Sequence, residues 1–270
     1  MANYLQRIVR RLNARPRGSA EPIAPPPLPT GRPDRRSIMD HAFEFVAKSD
    51  LDGCYMEFGC YQGASFTRAY EAYHRWLALA ETKNWRMSRQ RMFAFDSFCG
   101  LPDLKSEDQL TGYEVFAESQ YACSQDDFRA RLQTAGVDLD LVRCVEGFYD
   151  SLTGETKTHL DLPLAAVIHI DCDLYSSARD VLRFVEDRVQ DGTIMLFDDY
   201  YCYRGNPQFG VRRAFEQWLK QTGIQATVYF NYSWAGCSFI LNRLTKTPLD
   251  GRIKDAEALL QQAMSEEGPA

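Results

Sequence analysis

No apolar run in the chain approaches the roughly 20 residues that a membrane-crossing helix needs. Eight cysteines, at 54, 60, 99, 123, 144, 172, 202 and 237, include no C-x-x-C pair, so a zinc ribbon or a dithiol redox motif has no support. Cys54, Cys144 and Cys172 fall inside apolar runs and read as small buried hydrophobes. Positive charge is not in excess: 31 Lys and Arg stand against 37 Asp and Glu, a net charge of −6. Phosphate backbones call for a basic face, so the balance argues against nucleic acid as a partner. The opening MANYLQRIVRRLNARPRG lacks the apolar core of a secretory signal, and the expectation is a cytoplasmic protein.

What is present is an ordinary globular composition, 45% hydrophobic over 270 residues, enough for one large α/β domain or two small ones. Residues 1–33 stand apart as a basic, proline-rich arm. Eight arginines fall between Arg7 and Arg36, and SAEPIAPPPLPTGRP is too dense in proline for a ladder or a helix interior. LQRIVRRLN within it has the pattern of a short basic amphipathic helix, open either to a partner or anionic surface or to solvent.

From 34 to 245 the pattern is regular. RRSIMDHAFEFVAKS sets Ile38, Ala42, Phe43, Phe45 and Val46 on one helical face. GCYMEF, RMFAFD, LVRCVEG, LAAVIHID and GTIMLFDD read as five strands, with helical stretches following the first, second and fourth. Such alternation implies a largely parallel sheet covered on both faces. IQATVYFN and GCSFILNR have only residues 232–235 between them, too few for a crossover, so they must pair antiparallel. The expected fold is α/β: a doubly wound, mostly parallel seven-stranded sheet with an antiparallel terminal hairpin, followed by a C-terminal helix or tail over 246–270. Residues 101–125, long and polar, have the character of an active-site lid. The arm and the C-terminal helix are the natural places for contacts in a homo-oligomer.

Ligands in such sheets bind beyond the carboxyl ends of the strands. There the sequence places Glu57 with Gly59 and Gly63, then Asp96, then Glu146 and Gly147, then Asp171 and Asp173, then Asp198 and Asp199. Carboxylates gathered so closely raise one another's pKa, and a positive group is expected among them. EFGCYQGAS is not G-x-G-x-x-G and lacks the Lys-Ser/Thr of a P-loop. An acid before that turn suits a cationic ligand better than a diphosphate. Asp96 stands where these folds bind a ribose diol. Ribose, a positive centre and no phosphates together describe S-adenosylmethionine.

EFGCYQGASF, FAFDSFCGLP, VEGFYDSL, IDCDLYSSARDVL and GTIMLFDDYY, in this order, resemble the macrocin O-methyltransferase family over about three quarters of the chain, roughly 35–243. These are metal-dependent enzymes that methylate sugar hydroxyls of antibiotics on the class I methyltransferase (Rossmann-like) fold. The resemblance implies that Asp171, Asp198 and Asp199 hold Mg²⁺ and that Asp173 is the general base. It implies that Glu57 and the Gly59–Gly63 turn hold the methionine part of S-adenosylmethionine, with Ser65 near its carboxylate. Asp96 would take the ribose hydroxyls, and Ser97, Glu146 and Gly147 would surround the adenine. The acceptor would be a small molecule or glycan bearing the sugar.

Catechol-type methyltransferases carry an Asp, Asp, Asn metal set and a lysine where this chain has Leu174, and Asp199 stands at the third ligand position, so phenol methylation is the less favoured alternative. A D-x-D glycosyltransferase would match IDCD but not the glycine turn or the paired acids one strand later. If D-x-D lies on a strand, Asp171 and Asp173 share a face, and His169 joins them at alternate positions. His169 is then either a second base or a hydrogen-bonded core histidine. His41 and His74 fall in helical patterns and read as structural. Tyr200, Tyr201 and Tyr203 are placed either to stack on a sugar or to pack, and Trp234 either to meet substrate or a neighbouring subunit.

Overall fold

Seven strands form one sheet in the order β3-β2-β1-β4-β5-β7-β6. The computed structural model describes residues 33–35, 37–79 and 92–243, and the proline-rich arm, its short basic helix and the C-terminal helix expected from sequence lie outside them. The strands are β1 (Cys54–Phe58), β2 (Met92–Asp96), β3 (Val142–Glu146), β4 (Ala165–Ile170), β5 (Thr193–Phe197), β6 (Gln225–Tyr232) and β7 (Gly236–Asn242). The helices are α1 (Ile38–Lys48), α2 (Ala64–Leu79), α3 (Gln125–Thr134), α4 (Gly154–His159), α5 (Tyr175–Val185) and α6 (Gly210–Thr222). β1 to β5 pair in parallel, while β7 runs antiparallel to both β5 and β6, so the hairpin expected from its short connection is present. No described helix is long and apolar enough to cross a membrane.

The two faces of the sheet follow the two-residue period of its strands. Met56, Phe58, Phe93, Phe95, Ile168, Ile170, Met195 and Phe197 join α5 and α6 in one apolar cluster. Tyr55, Met92, Ala94, Val167, Ile194 and Leu196 face the opposite way, against α1, α2 and α3. Phe58 is fully buried, its ring stacked 4.6 Å from Phe95. Burying one such side chain contributes about 1.5–3 kcal/mol. α4 was not foreseen: GETKTH buries nothing, so it has no apolar periodicity, and a Thr153 capping box defines its start instead.

Strand order reverses between β1 and β4, which creates a crevice at their carboxyl ends. The backbone is drawn tight there. Asp171 N–H donates to the Phe58 carbonyl at 2.8 Å, and Gly59 N–H to that of Phe95 at 3.0 Å. Gly59 has φ +90°, and a Cβ on it would overlap the Asp171 backbone carbonyl. Both steric space and the backbone angle therefore require glycine. Gly59→Ala is expected to lower unfolding stability by about 2 kcal/mol or more, read by chemical denaturation; unchanged stability would mean that β1 and β4 approach less closely.

Candidate active site

A cavity of about 960 Å³ opens at this crevice. Gly59, Asp96, Ser97, Gly147, Asp171, Asp173, Asp198 and Asp199, all foreseen from sequence, line it. Glu57, Gly63, Ser65, Glu146 and His169 are not among the lining residues. The glycine turn folds around Asp96, whose Oδ2 accepts from Cys60 N–H at 2.6 Å and Tyr61 N–H at 3.1 Å, while Oδ1 accepts from Phe98 N–H at 2.8 Å. Its carboxylate therefore clamps the turn as well as facing the cavity.

Glu57 is fully buried beneath that turn. Ser65 donates to its Oε1 at 2.6 Å, the Tyr55 hydroxyl donates to Oε2, and His169 Nδ1 lies 3.7 Å from Oε2. These contacts tie Glu57 to the helix that follows the turn and to its neighbour on β1. His169 belongs with them. At an odd position on β4 it shares the face of Val167, toward α1 and α2, and its pKa is raised by Glu57 against the opposing effect of burial.

The D-x-D expectation needs correction in its geometry. β4 ends at Ile170, so Asp171 and Asp173 lie on the loop beyond it, and Asp173 has φ 60°. A left-handed non-glycine residue is strained. Strand alternation therefore does not set which way these acids face; the loop does, and it turns both toward the cavity.

Asp171, Asp198 and Asp199 each bring a carboxylate oxygen within 4.8 Å of the others. Burial first, then Asp198 and Asp199, hold the Asp171 carboxyl well above the usual carboxylate range. Burial and Asp199 do the same to Asp173, and burial raises Asp198. Asp199 Oδ2 is buried with no hydrogen-bond partner among the described residues. Three hard oxygen donors, one of them unsatisfied, fit a hard divalent cation such as Mg²⁺, which binds through oxygen and keeps waters in its remaining positions.

The family model for macrocin O-methyltransferases (TylF) matches residues 24–237. The chain belongs to this family. It is 27% identical over 172 residues to the 8-demethyl-8-(2,3-dimethoxy-α-L-rhamnosyl)-tetracenomycin-C 4′-O-methyltransferase of Streptomyces olivaceus, a match that covers 62% of this chain and 60% of that relative, less than two thirds of its length. Among solved structures it superposes on the O-methyltransferase NovP with a TM-score of 0.61 at 20% identity, covering 77% of this chain and 80% of that one. CalS11, a calicheamicin methyltransferase, gives 0.57 at 20% identity over 88% and 91%. At these identities the superpositions establish the fold, which is that of class I O-methyltransferases, as expected from the sequence.

Within this macrocin O-methyltransferase family member, the tyrosines after the acid pair resolve toward packing. Tyr200 is buried against Phe197 and Phe215, and Tyr203 against Tyr113, Phe116 and Phe209. None of Tyr200, Tyr201 or Tyr203 is among the lining residues, whereas Trp234, 66% exposed, is. Sequence reasoning missed Asp108. Its buried carboxylate accepts from Ser176 N–H and Oγ–H, both at 2.8 Å, and so caps the start of α5, where a negative charge is favoured. Tyr203 also donates to its backbone carbonyl at 2.9 Å. One residue thereby ties segment 101–125 beside Asp173, and Tyr113, Val115 and Tyr121 from that segment line the cavity. The spacing that signals a capping box was absent, because donor and acceptor lie 68 residues apart. Asp108→Ala is expected to cost about 1–3 kcal/mol of stability and to speed proteolytic cleavage near Tyr113; unchanged cleavage would contradict the anchoring role.

Proposed function

We propose that this chain is an S-adenosylmethionine-dependent O-methyltransferase, assisted by Mg²⁺, that methylates a sugar hydroxyl of a glycosylated small molecule. The observation that carries the reading is the placement of three mutually close carboxylates, with Asp173 beside them, in the same cavity as the glycine turn and Asp96. The reading draws on the printed activities of the relatives: the Streptomyces olivaceus enzyme is a 4′-O-methyltransferase of a rhamnosyl compound, and CalS11 is a calicheamicin methyltransferase.

In this reading Gly59 and Asp96 receive the cofactor, with Ser97 and Gly147 at the adenine end. Cys60 and Tyr61 amides, fixed on Asp96, shape the turn that approaches the methionine part. Asp171, Asp198 and Asp199 would hold Mg²⁺, which when bound supplies positive charge that lowers the pKa of a hydroxyl beside it. Asp173 takes the hydroxyl proton as the oxygen attacks the sulfonium methyl. The new C–O bond forms as the C–S bond breaks, leaving a methyl ether and S-adenosylhomocysteine. Much of the acceleration then comes from alignment of oxygen, methyl and sulfur, for which the cavity walls are responsible. Segment 101–125 would act as a lid that excludes water.

The remaining lining is acidic. Asp103, Glu118, Asp150 and Asp180 add carboxylates to those of the site, and among the described lining residues the cationic ones are Arg35 and Lys105. A polyanion such as nucleic acid would be repelled from it.

Calorimetric titration of S-adenosylhomocysteine with and without Mg²⁺, followed by methyl-transfer assays on a panel of glycosides, tests the proposal. Asp173→Asn is expected to keep cofactor binding and to lose about 10²–10⁴ in turnover. Near-normal turnover in that variant would place the base elsewhere, and no cofactor binding by the native chain would refute the function.

A further inference from the structure

Arg35 opens the stretch RRSIMDHAFEFVAKS and lies in none of the motifs that carry the family resemblance, yet its side chain reaches Asp198 in the acid group. The backbone that carries it is fixed on two sides. Ser233 N–H donates to the Pro33 carbonyl at 3.0 Å, and Ser37 N–H donates to Asp34 Oδ1 at 2.8 Å just before α1. From that anchored turn the guanidinium extends along the cavity wall to Asp198. Its Nε donates to Oδ1 at 3.1 Å, and Nη2 lies 2.5 Å from Oδ2. Both oxygens of Asp198 are thus engaged by one guanidinium, the fork-to-fork geometry that makes arginine pairs with carboxylates strong.

The two partners differ in exposure. The Asp198 side chain is 6% exposed and that of Arg35 is 50% exposed. The carboxylate is part of the interior, while the guanidinium comes in from the open side. Its charge is felt by the whole group, since Asp198, Asp171 and Asp199 all act on Arg35. The acids need a cation for the reason given above, and this chain supplies one of its own.

A divalent ion held by Asp171, Asp198 and Asp199 requires an oxygen of Asp198. The guanidinium contacts both and leaves each a second lone pair, so the competition is electrostatic: two cations drawn to one carboxylate repel each other. We propose that Arg35 is the resident counter-cation of the acid site, which neutralises Asp198 when no metal is bound and whose charge opposes the entry of a metal there. The inference rests on the metal reading of the preceding subsection. Its consequence is a linkage: the contact that stabilises the protein without metal opposes metal binding by the same free energy. Arg35 in this role sets how tightly the metal is held.

The test is calorimetric titration of Mg²⁺, and separately of Mn²⁺, into chelator-treated full-length protein at constant pH and ionic strength. Native chain, Arg35→Gln and Arg35→Lys are compared, with melting temperatures recorded in chelator and in excess metal. Arg35→Gln is expected to bind metal about tenfold more tightly, equivalent to ~1.4 kcal/mol. It should melt lower than the native chain in chelator and show a larger upward shift when metal is added. Arg35→Lys, which keeps the charge but not the fork, should fall between the two and decides the question if the glutamine variant does not fold. Metal affinity that is equal or weaker in the variants overturns the proposal, because it would make Arg35 a support that orients Asp198 for the ion. Absence of metal binding in native and variant chains alike overturns the metal reading and this proposal together.

Discussion

Mutual repulsion among Asp171, Asp198 and Asp199 is the constraint around which the rest of this structure is arranged. Their carboxylate oxygens lie within 4.8 Å of one another in a pocket that burial makes costly for charge. Nothing in sheet packing calls for such a cluster, since strands end in turns whose side chains are free to face solvent. The acids are held there by the fold. β4 and β5 are adjacent and parallel, with Ile170 opposite Phe197, so the residues after each strand emerge side by side.

The same position in the sheet brings the glycine turn to the acids. β1 is the other neighbour of β4, and Gly59 approaches the Asp171 backbone more closely than any side chain would allow. Glycine turn and acid group are therefore one mechanical unit with a common wall. Behind that wall Glu57 binds Ser65, Tyr55 and, at longer range, His169, so the second strand residue from the turn is tied to the helix that follows it and to β4. In front of it, Asp108 fastens the long segment to the first turn of α5, directly after Asp173. Apolar packing supplies the frame: Phe58, Phe95 and Phe184 form one aromatic group under the crevice, with ring centroids 4.6 to 6.2 Å apart.

Much of this was legible in the sequence because it depends on local pattern. Apolar runs that end in Asp or Glu marked the strands and the ligand end, and four intervening residues marked the hairpin as antiparallel. Periodicity failed where the chain leaves regular structure. Continuing β4 through Asp173 made strand alternation the reason the acids face one way, whereas the strand stops at Ile170; His169, still on the strand, lies against Glu57 and is also felt by Asp198 and Asp199. The two residues that pattern could not reveal are Arg35 and Asp108. Each acts on a partner far along the chain, 163 residues away for Arg35 and Asp198, and 68 for Asp108 and Ser176. No spacing rule spans such separations; only the folded topology brings them together.

The measurement that tests the account most directly is an anomalous difference map from crystals of the chain grown with S-adenosylhomocysteine and soaked in Mn²⁺. The account expects one strong peak among Asp171, Asp198 and Asp199, with the cofactor product against Gly59 and Asp96. A peak elsewhere, or none at saturating Mn²⁺ with the product bound, would contradict a metal-assisted transfer at these acids.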